Sequence, residues 1–210
     1  MTDIHDIVII GGSAGAVEGL LRVVERLPPR LAASVFVVIH VPPTAPSMLP
    51  RILERRGPLR ALHPRHGEAF EPSVIYVAPP DRHLLVRDVR VSVLRTPSEK
   101  GHRPAIDPLF RSASSAHGCR VTAVVLSGNL DDGAAGLRAV VDAGGVAIVQ
   151  EPSEATYPSM PKRALALVPE AERVPVLDIA RRIVELVGSP APAASRRSSG
   201  PPAAGRDATG

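Results

Sequence analysis

The sequence predicts an α/β domain: a doubly wound, mainly parallel sheet with helices on both faces and an antiparallel edge hairpin. Three observations predict it. Five short runs rich in Val and Ile are separated by longer amphipathic stretches, the strand–helix alternation of βαβ units. Those runs are apolar at consecutive positions, as strands covered on both faces require. Aromatic residues make up only 2% of the chain and Trp is absent, so the core must be built from Val, Leu, Ile and Ala.

Taken in order, strands are expected at residues 7–10, 35–39, 74–78, 121–126 and 146–149, each followed closely by Gly, Pro, His or Ser. Helices are expected at residues 17–27, 48–56, 108–116 and 134–143, with right-handed crossovers. The stretch 84–94 alternates on either side of Arg87-Asp88 and reads as an antiparallel hairpin at a sheet edge. After Val187 the composition changes. Residues 189–210 are almost entirely Pro, Ala, Ser, Gly and Arg, too poor in apolar side chains to offset the entropy of ordering them. The reading is one domain over residues 1–188 and a disordered tail over 189–210, within a 210-residue chain.

Composition also narrows the function classes. The net charge is +4 with scattered arginines and no block of like charge, and aromatic platforms for base stacking are lacking, which argues against nucleic-acid binding. Cys119 is the only cysteine; it reads as a buried thiol and rules out an intramolecular disulfide or a multi-cysteine zinc site. The first six residues are polar and acidic, unlike a secretory leader, and no run reaches the ~18 apolar residues of a membrane span. A soluble, cytoplasmic protein without membrane insertion is expected.

The first chemical motif joins strand to helix. Ile7-Val8-Ile9-Ile10 runs into Gly11-Gly12-Ser13-Ala14-Gly15. As a dinucleotide loop it lacks two of three glycines, with Ser13 and Ala16 in their places, and as a phosphate loop it lacks Gly-Lys-Ser/Thr. It does fit G-x-S-x-G, in which small neighbours permit a sharp turn that presents a serine hydroxyl and aims helical N–H groups at an oxyanion. The competing reading is that Ser13 simply caps a helix.

A nucleophilic serine needs a base and the base an orienting acid. His40 directly follows the second strand at its carboxyl end, where open parallel sheets bind ligands. The other six histidines are less well placed, His102 being the one rival. The fourth strand leads into Ser127-Gly128-Asn129-Leu130-Asp131-Asp132-Gly133. Either aspartate there is a candidate acid, and either is a candidate helix cap. No His or further carboxylate at ligand spacing makes these aspartates a metal site, and no cofactor is expected. The order Ser, His, Asp differs from that of the α/β-hydrolases.

With these residues in hand, the chain resembles the catalytic domain of the CheB-type chemotaxis protein-glutamate methylesterases. The resemblance runs from about Ile7 to Val187. It is carried by residues 10–15, by His40 with Pro42-Pro43, by Gly67-Glu68, and by Tyr76-Val77-Ala78-Pro79-Pro80-Asp81-Arg82-His83-Leu84. It continues in Arg103-Pro104-Ala105-Ile106-Asp107-Pro108-Leu109-Phe110, Ser127-Gly128, Asp132-Gly133-Ala134 and Met160-Pro161-Lys162. The resemblance implies a triad of Ser13, His40 and Asp132, the last because the family's acid immediately precedes Gly-Ala. It implies an oxyanion and substrate loop at Ala14, Asn129 and Met160. It further implies hydrolysis of glutamyl methyl esters on the cytoplasmic helices of methyl-accepting chemoreceptors, with release of methanol, and in some members deamidation of receptor glutamines. Asn129 and Leu130 depart from the family, which usually has Met and Gly there. That departure raises the alternative of a receptor-binding module without catalysis. Many relatives carry an N-terminal phospho-receiver domain; here the first strand begins within seven residues of Met1, so a stand-alone esterase is expected.

Overall fold

The computed structural model describes residues 6–44 and 46–187. The expected tail at 189–210 lies outside the described residues.

Seven strands form one parallel sheet: β1 (Ile7–Gly12), β2 (Ser34–Ile39), β3 (Arg60–Leu62), β4 (Val74–Val77), β7 (Val121–Val125), β8 (Val146–Gln150) and β9 (Glu172–Val174). Between β4 and β7 the chain forms β5 (His83–Arg87) and β6 (Arg90–Leu94), which pair antiparallel. The helices are α1 (Ala16–Val24), α2 (Leu49–Arg56), α3 (Ile106–His117), α4 (Ala134–Asp142), α5 (Ser159–Leu167) and α6 (Ile179–Val187). The order across the main sheet is β3-β4-β2-β1-β7-β8-β9. From β1 the chain moves to β2, skips a position to the edge strand β3, fills the gap with β4, then crosses back to continue through β7, β8 and β9. The reversal falls between β1 and β7, where the connecting loops diverge and leave room for a ligand.

Side-chain alternation along β1 explains why both faces are covered. Ile7 and Ile9 enter a core formed with α3, α4, α5 and the hairpin; Val8 and Ile10 enter a second core formed with α1, α2 and α6. All six residues of β1 are buried.

The hairpin is a separate two-stranded sheet, not an edge of the main one. Leu84, Val86, Val91 and Val93 form its apolar face and find cover in the core shared with α3, and the Val86 N–H donates to Ser112 Oγ on that helix (3.0 Å). The edges belong to β3 and β9, which are not expected from the sequence. Each is three residues long and carries charged side chains, and backbone pairing alone defines it, as suits a protected edge. Helices α5 and α6 are likewise additions to the expected set. Pro158 and Pro161 punctuate the start of α5, but a proline in the first turn costs no helical hydrogen bond. In α6 the apolar spacing Ile179, Ile183 and Leu186 covers the second core. Cys119 sits half-buried in a short 3-10 turn before β7, more accessible than expected.

Candidate active site

Backbone pairing continues past the strand ends and fixes the loop that leaves each one. Gly12 lies opposite Ile39 and Gly11 opposite Val125. Beyond them, the His40 N–H donates to the Gly12 carbonyl (3.2 Å), the Leu126 N–H to the Gly11 carbonyl (2.8 Å), and the Ser13 N–H to the Ser127 carbonyl (3.0 Å). Three loops from three adjacent strands therefore meet at one end of the sheet.

There the three chemical groups connect. His40 Nδ1 is 3.1 Å from Ser13 Oγ, and His40 Nε2 is 2.7 Å from Asp132 Oδ2. A carboxylate can only accept, so Nε2 carries the proton and the Nδ1 lone pair faces the serine hydroxyl. The ring is presented with its two nitrogens exchanged relative to the chymotrypsin arrangement, in which Nε2 serves the nucleophile.

Asp132 is almost wholly buried, 1% exposed. Besides His40, its Oδ2 accepts the Ile106 N–H (2.7 Å) and its Oδ1 the Asp107 N–H (3.0 Å), both in the first turn of α3. Burial pushes this carboxyl upward, but the His40 bond and the two N–H groups outweigh it and hold it below the ordinary aspartate range. The helix comes close enough because Ile106 packs on glycines. A Cβ on Gly11 would stand 2.4 Å from Ile106 Cγ2, and one on Gly133, at φ +91°, would stand 2.8 Å from it. Asp131, the other aspartate, is half-buried and accepts Lys100 Nζ at its carbonyl (3.0 Å).

Asp107 is buried too. Its Oδ1 accepts the Gly136 N–H (2.7 Å), and its Oδ2 pairs with Lys100 Nζ at 3.0 Å. Burial raises this carboxyl above the ordinary range in spite of both partners. Neither the α3 N-terminus nor Lys100 is expected at the site from the sequence. The signal was there in Arg103-Pro104-Ala105-Ile106-Asp107, whose chemistry lies largely in backbone N–H groups.

The expected oxyanion residues part company. The Ser13 N–H is spent on Ser127. The Ala14 N–H, just ahead of α1, makes no hydrogen bond among the described residues. Asn129 is exposed and is not among the residues that wall the cleft beside His40, and Leu130 next to it holds φ +66° with 55% exposure. Met160 belongs to the core. Its N–H donates to the Gly128 carbonyl (2.9 Å), and its buried side chain backs the loop instead of lining the opening, because Gly128 leaves space for it there. His83, one of the histidines the sequence places less well, is buried, with Nδ1 accepting the Ala105 N–H (3.2 Å) and Nε2 donating to the Pro97 carbonyl (3.0 Å).

A cleft of about 480 Å³ opens beside the His40 ring, walled by Pro42, Pro43, Gly101 and His102. No three His, Cys, Asp or Glu side chains converge as a metal site among the described residues.

The CheB methylesterase family profile matches residues 8–183. The chain belongs to the CheB methylesterase family. It is 36% identical over 185 residues to a protein-glutamate methylesterase/protein-glutamine glutaminase of Nocardioides sp., covering 86% of this chain and 50% of that one. A putative protein of the same designation from Leptospira interrogans serovar copenhageni is 31% identical over 183 residues, covering 87% and 93%. The crystal structure of the Thermotoga maritima CheB methylesterase catalytic domain superposes with a TM-score of 0.82 at 29% identity, covering 87% of this chain and 98% of that one. This family member spans about half the length of several curated relatives and nearly all of others. No helix among its described residues is long and apolar enough to cross a membrane.

Proposed function

We propose that this CheB-family chain hydrolyses glutamyl methyl esters on the cytoplasmic helices of methyl-accepting chemoreceptors, with Ser13 as nucleophile, His40 as base and Asp132 as the orienting acid. The observation that carries the reading is the unbroken line from Ser13 Oγ through the His40 ring to the buried Asp132 carboxylate.

In this mechanism His40 Nδ1 takes the Ser13 proton as Oγ bonds to the ester carbonyl carbon. The new charge on the carbonyl oxygen is met by the Ala14 N–H at the positive end of α1. His40 returns the proton to the departing methoxide, so methanol leaves and an acyl-Ser13 remains. Water then repeats the cycle: His40 removes its proton, hydroxide adds, and the carbon–Oγ bond breaks to give glutamate and free serine. Asp132 stays ionised throughout and stabilises the imidazolium at Nε2.

The double designation of the relatives supports a second activity at the same site, with ammonia from a glutamine amide leaving in place of methanol. The test measures methanol and ammonia released from a methylated receptor fragment by the natural chain and by Ser13→Ala. Methanol release abolished by the substitution, with the fold retained, is the expected result. Equal release from both proteins overturns the reading.

A further inference from the structure

His102 lies in the loop before α3, and the triad does not use it. Its ring stacks on His40 with centroids 3.7 Å apart and planes inclined by only 13°. Among the described residues its ring nitrogens make no hydrogen bond, so the flat contact is the side chain's principal engagement.

The segment that delivers it is fastened on all sides. Glu99 and His102 exchange backbone hydrogen bonds (3.0 and 2.9 Å) around Lys100 and Gly101, both at positive φ. Lys100 Nζ ties the turn to the Asp131 carbonyl and to Asp107. Glu99 accepts from Arg111 of α3 (2.8 Å), and Arg103 Nε donates to Asp81 (2.8 Å). A side chain mounted this firmly against a catalytic ring limits how far that ring can tilt.

We propose that His102 is a positioning residue for the catalytic histidine: its neutral imidazole backs one face of His40, keeps that ring in the plane joining Ser13 to Asp132, and offers its π face to the imidazolium formed during acyl transfer. The assignment rests on the triad reading under Proposed function. A π face favours an adjacent cation, whereas a second positive charge at stacking distance would oppose it. The surroundings favour the neutral form. Burial, then the charge of His40, hold the His102 pKa below the ordinary histidine value, against a weaker upward pull from Asp132. The other charged groups at this cleft, Arg103 and Asp81, are already paired with each other.

Three substitutions in the full chain test it: His102→Ala, His102→Phe and His102→Arg. The readouts are hydrolysis of p-nitrophenyl acetate across pH, fluorophosphonate labelling of Ser13, and thermal unfolding. His102→Ala is expected to lower kcat about 10- to 100-fold with KM little changed, as loss of ring alignment would. His102→Phe restores most of kcat, because it supplies a flat face and no charge. His102→Arg moves the acid limb of the kcat/KM profile down by about one pH unit, because a fixed cation disfavours the imidazolium. Wild-type kcat in His102→Ala, equal defects in the Ala and Phe variants, or an unmoved acid limb in His102→Arg would each overturn the assignment. Failure of the natural chain to label at Ser13 would instead bring down the triad reading, and the assignment with it.

Discussion

Gly128 and Ser13 approach so closely that no side chain fits between them. A Cβ on Gly128 would stand 2.9 Å from Ser13 Cβ and 2.7 Å from Met160 Sδ. Gly128 is therefore a packing requirement of Ser13, the proposed nucleophile, set by the close approach of backbone to side chain. Gly128→Ala should slow fluorophosphonate labelling of Ser13 about 100-fold, the scale of an ångström-sized misplacement. Adding Met160→Ala should not restore it, since the clash with Ser13 remains. Labelling at the natural rate in the single variant would refute the requirement.

Asp132 faces three donors: His40 Nε2–H and the N–H groups of Ile106 and Asp107. An amide in its place would point an NH2 at one of them. Asp132→Asn should therefore leave a buried donor unpaired or force the wrong His40 tautomer, and kcat should fall about 10⁴-fold, as in the equivalent change to a serine protease triad. Steady-state ester hydrolysis checks this; a loss of less than tenfold would contradict the role of the carboxylate.

Lys100 and Asp107 give a pH-dependent prediction whose sign can be worked out. The Asp107 carboxyl sits above its ordinary 3.8, so its ionised form costs stability as pH rises through the raised value. Lys100 limits that cost through the 3.0 Å ion pair. Lys100→Met should thus destabilise the fold most near neutral pH, and the deficit should shrink as acid protonates Asp107. Asp132, held low, works in the opposite sense: its contribution is present above about pH 4 and fades only below it, so it leaves this comparison undisturbed. Urea denaturation of both proteins at pH 7 and pH 5 measures the difference; a deficit that grows on acidification would contradict the pairing.

Ser127 staples the turn that carries Ser13 to the loop before α5. Its buried hydroxyl donates to the Ala14 carbonyl (2.9 Å) and accepts the Tyr157 N–H (3.0 Å). Ser127→Ala strands both backbone groups and should cost about 1–3 kcal/mol of stability. A lowered midpoint in chemical denaturation is the expected result, and an unchanged one would show that the staple carries no weight.

The main elements of the fold were legible because buried parallel strands announce themselves as apolar runs, and five such runs coincide with central or near-central strands. β3 and β9 were not, since Arg60 and Glu172-Arg173 make them look like loops and only pairing to a neighbour defines them. That Ser13 and His40 lie together at one end of the sheet was legible because each stands directly after a strand. Asp132 needed the family resemblance, as nothing in the sequence distinguishes it from Asp131; the structure separates them by burial. The roles of His102 and of the N–H groups of Ile106 and Asp107 stayed hidden because their contribution is spatial: a ring laid on another ring, and a helix end aimed at a carboxylate.

The ladder joining Gly11, Gly12 and Ser13 to Leu126, His40 and Ser127 leaves the Ser13 and His40 side chains almost no slack. They hang from the most deeply covered strands of the molecule, so they should be among the last parts to loosen on heating. Enzymes with floppy catalytic loops lose turnover well before they melt; here loss of the proposed activity and collapse of the central strands should arrive together, at the edge of the chain's own unfolding.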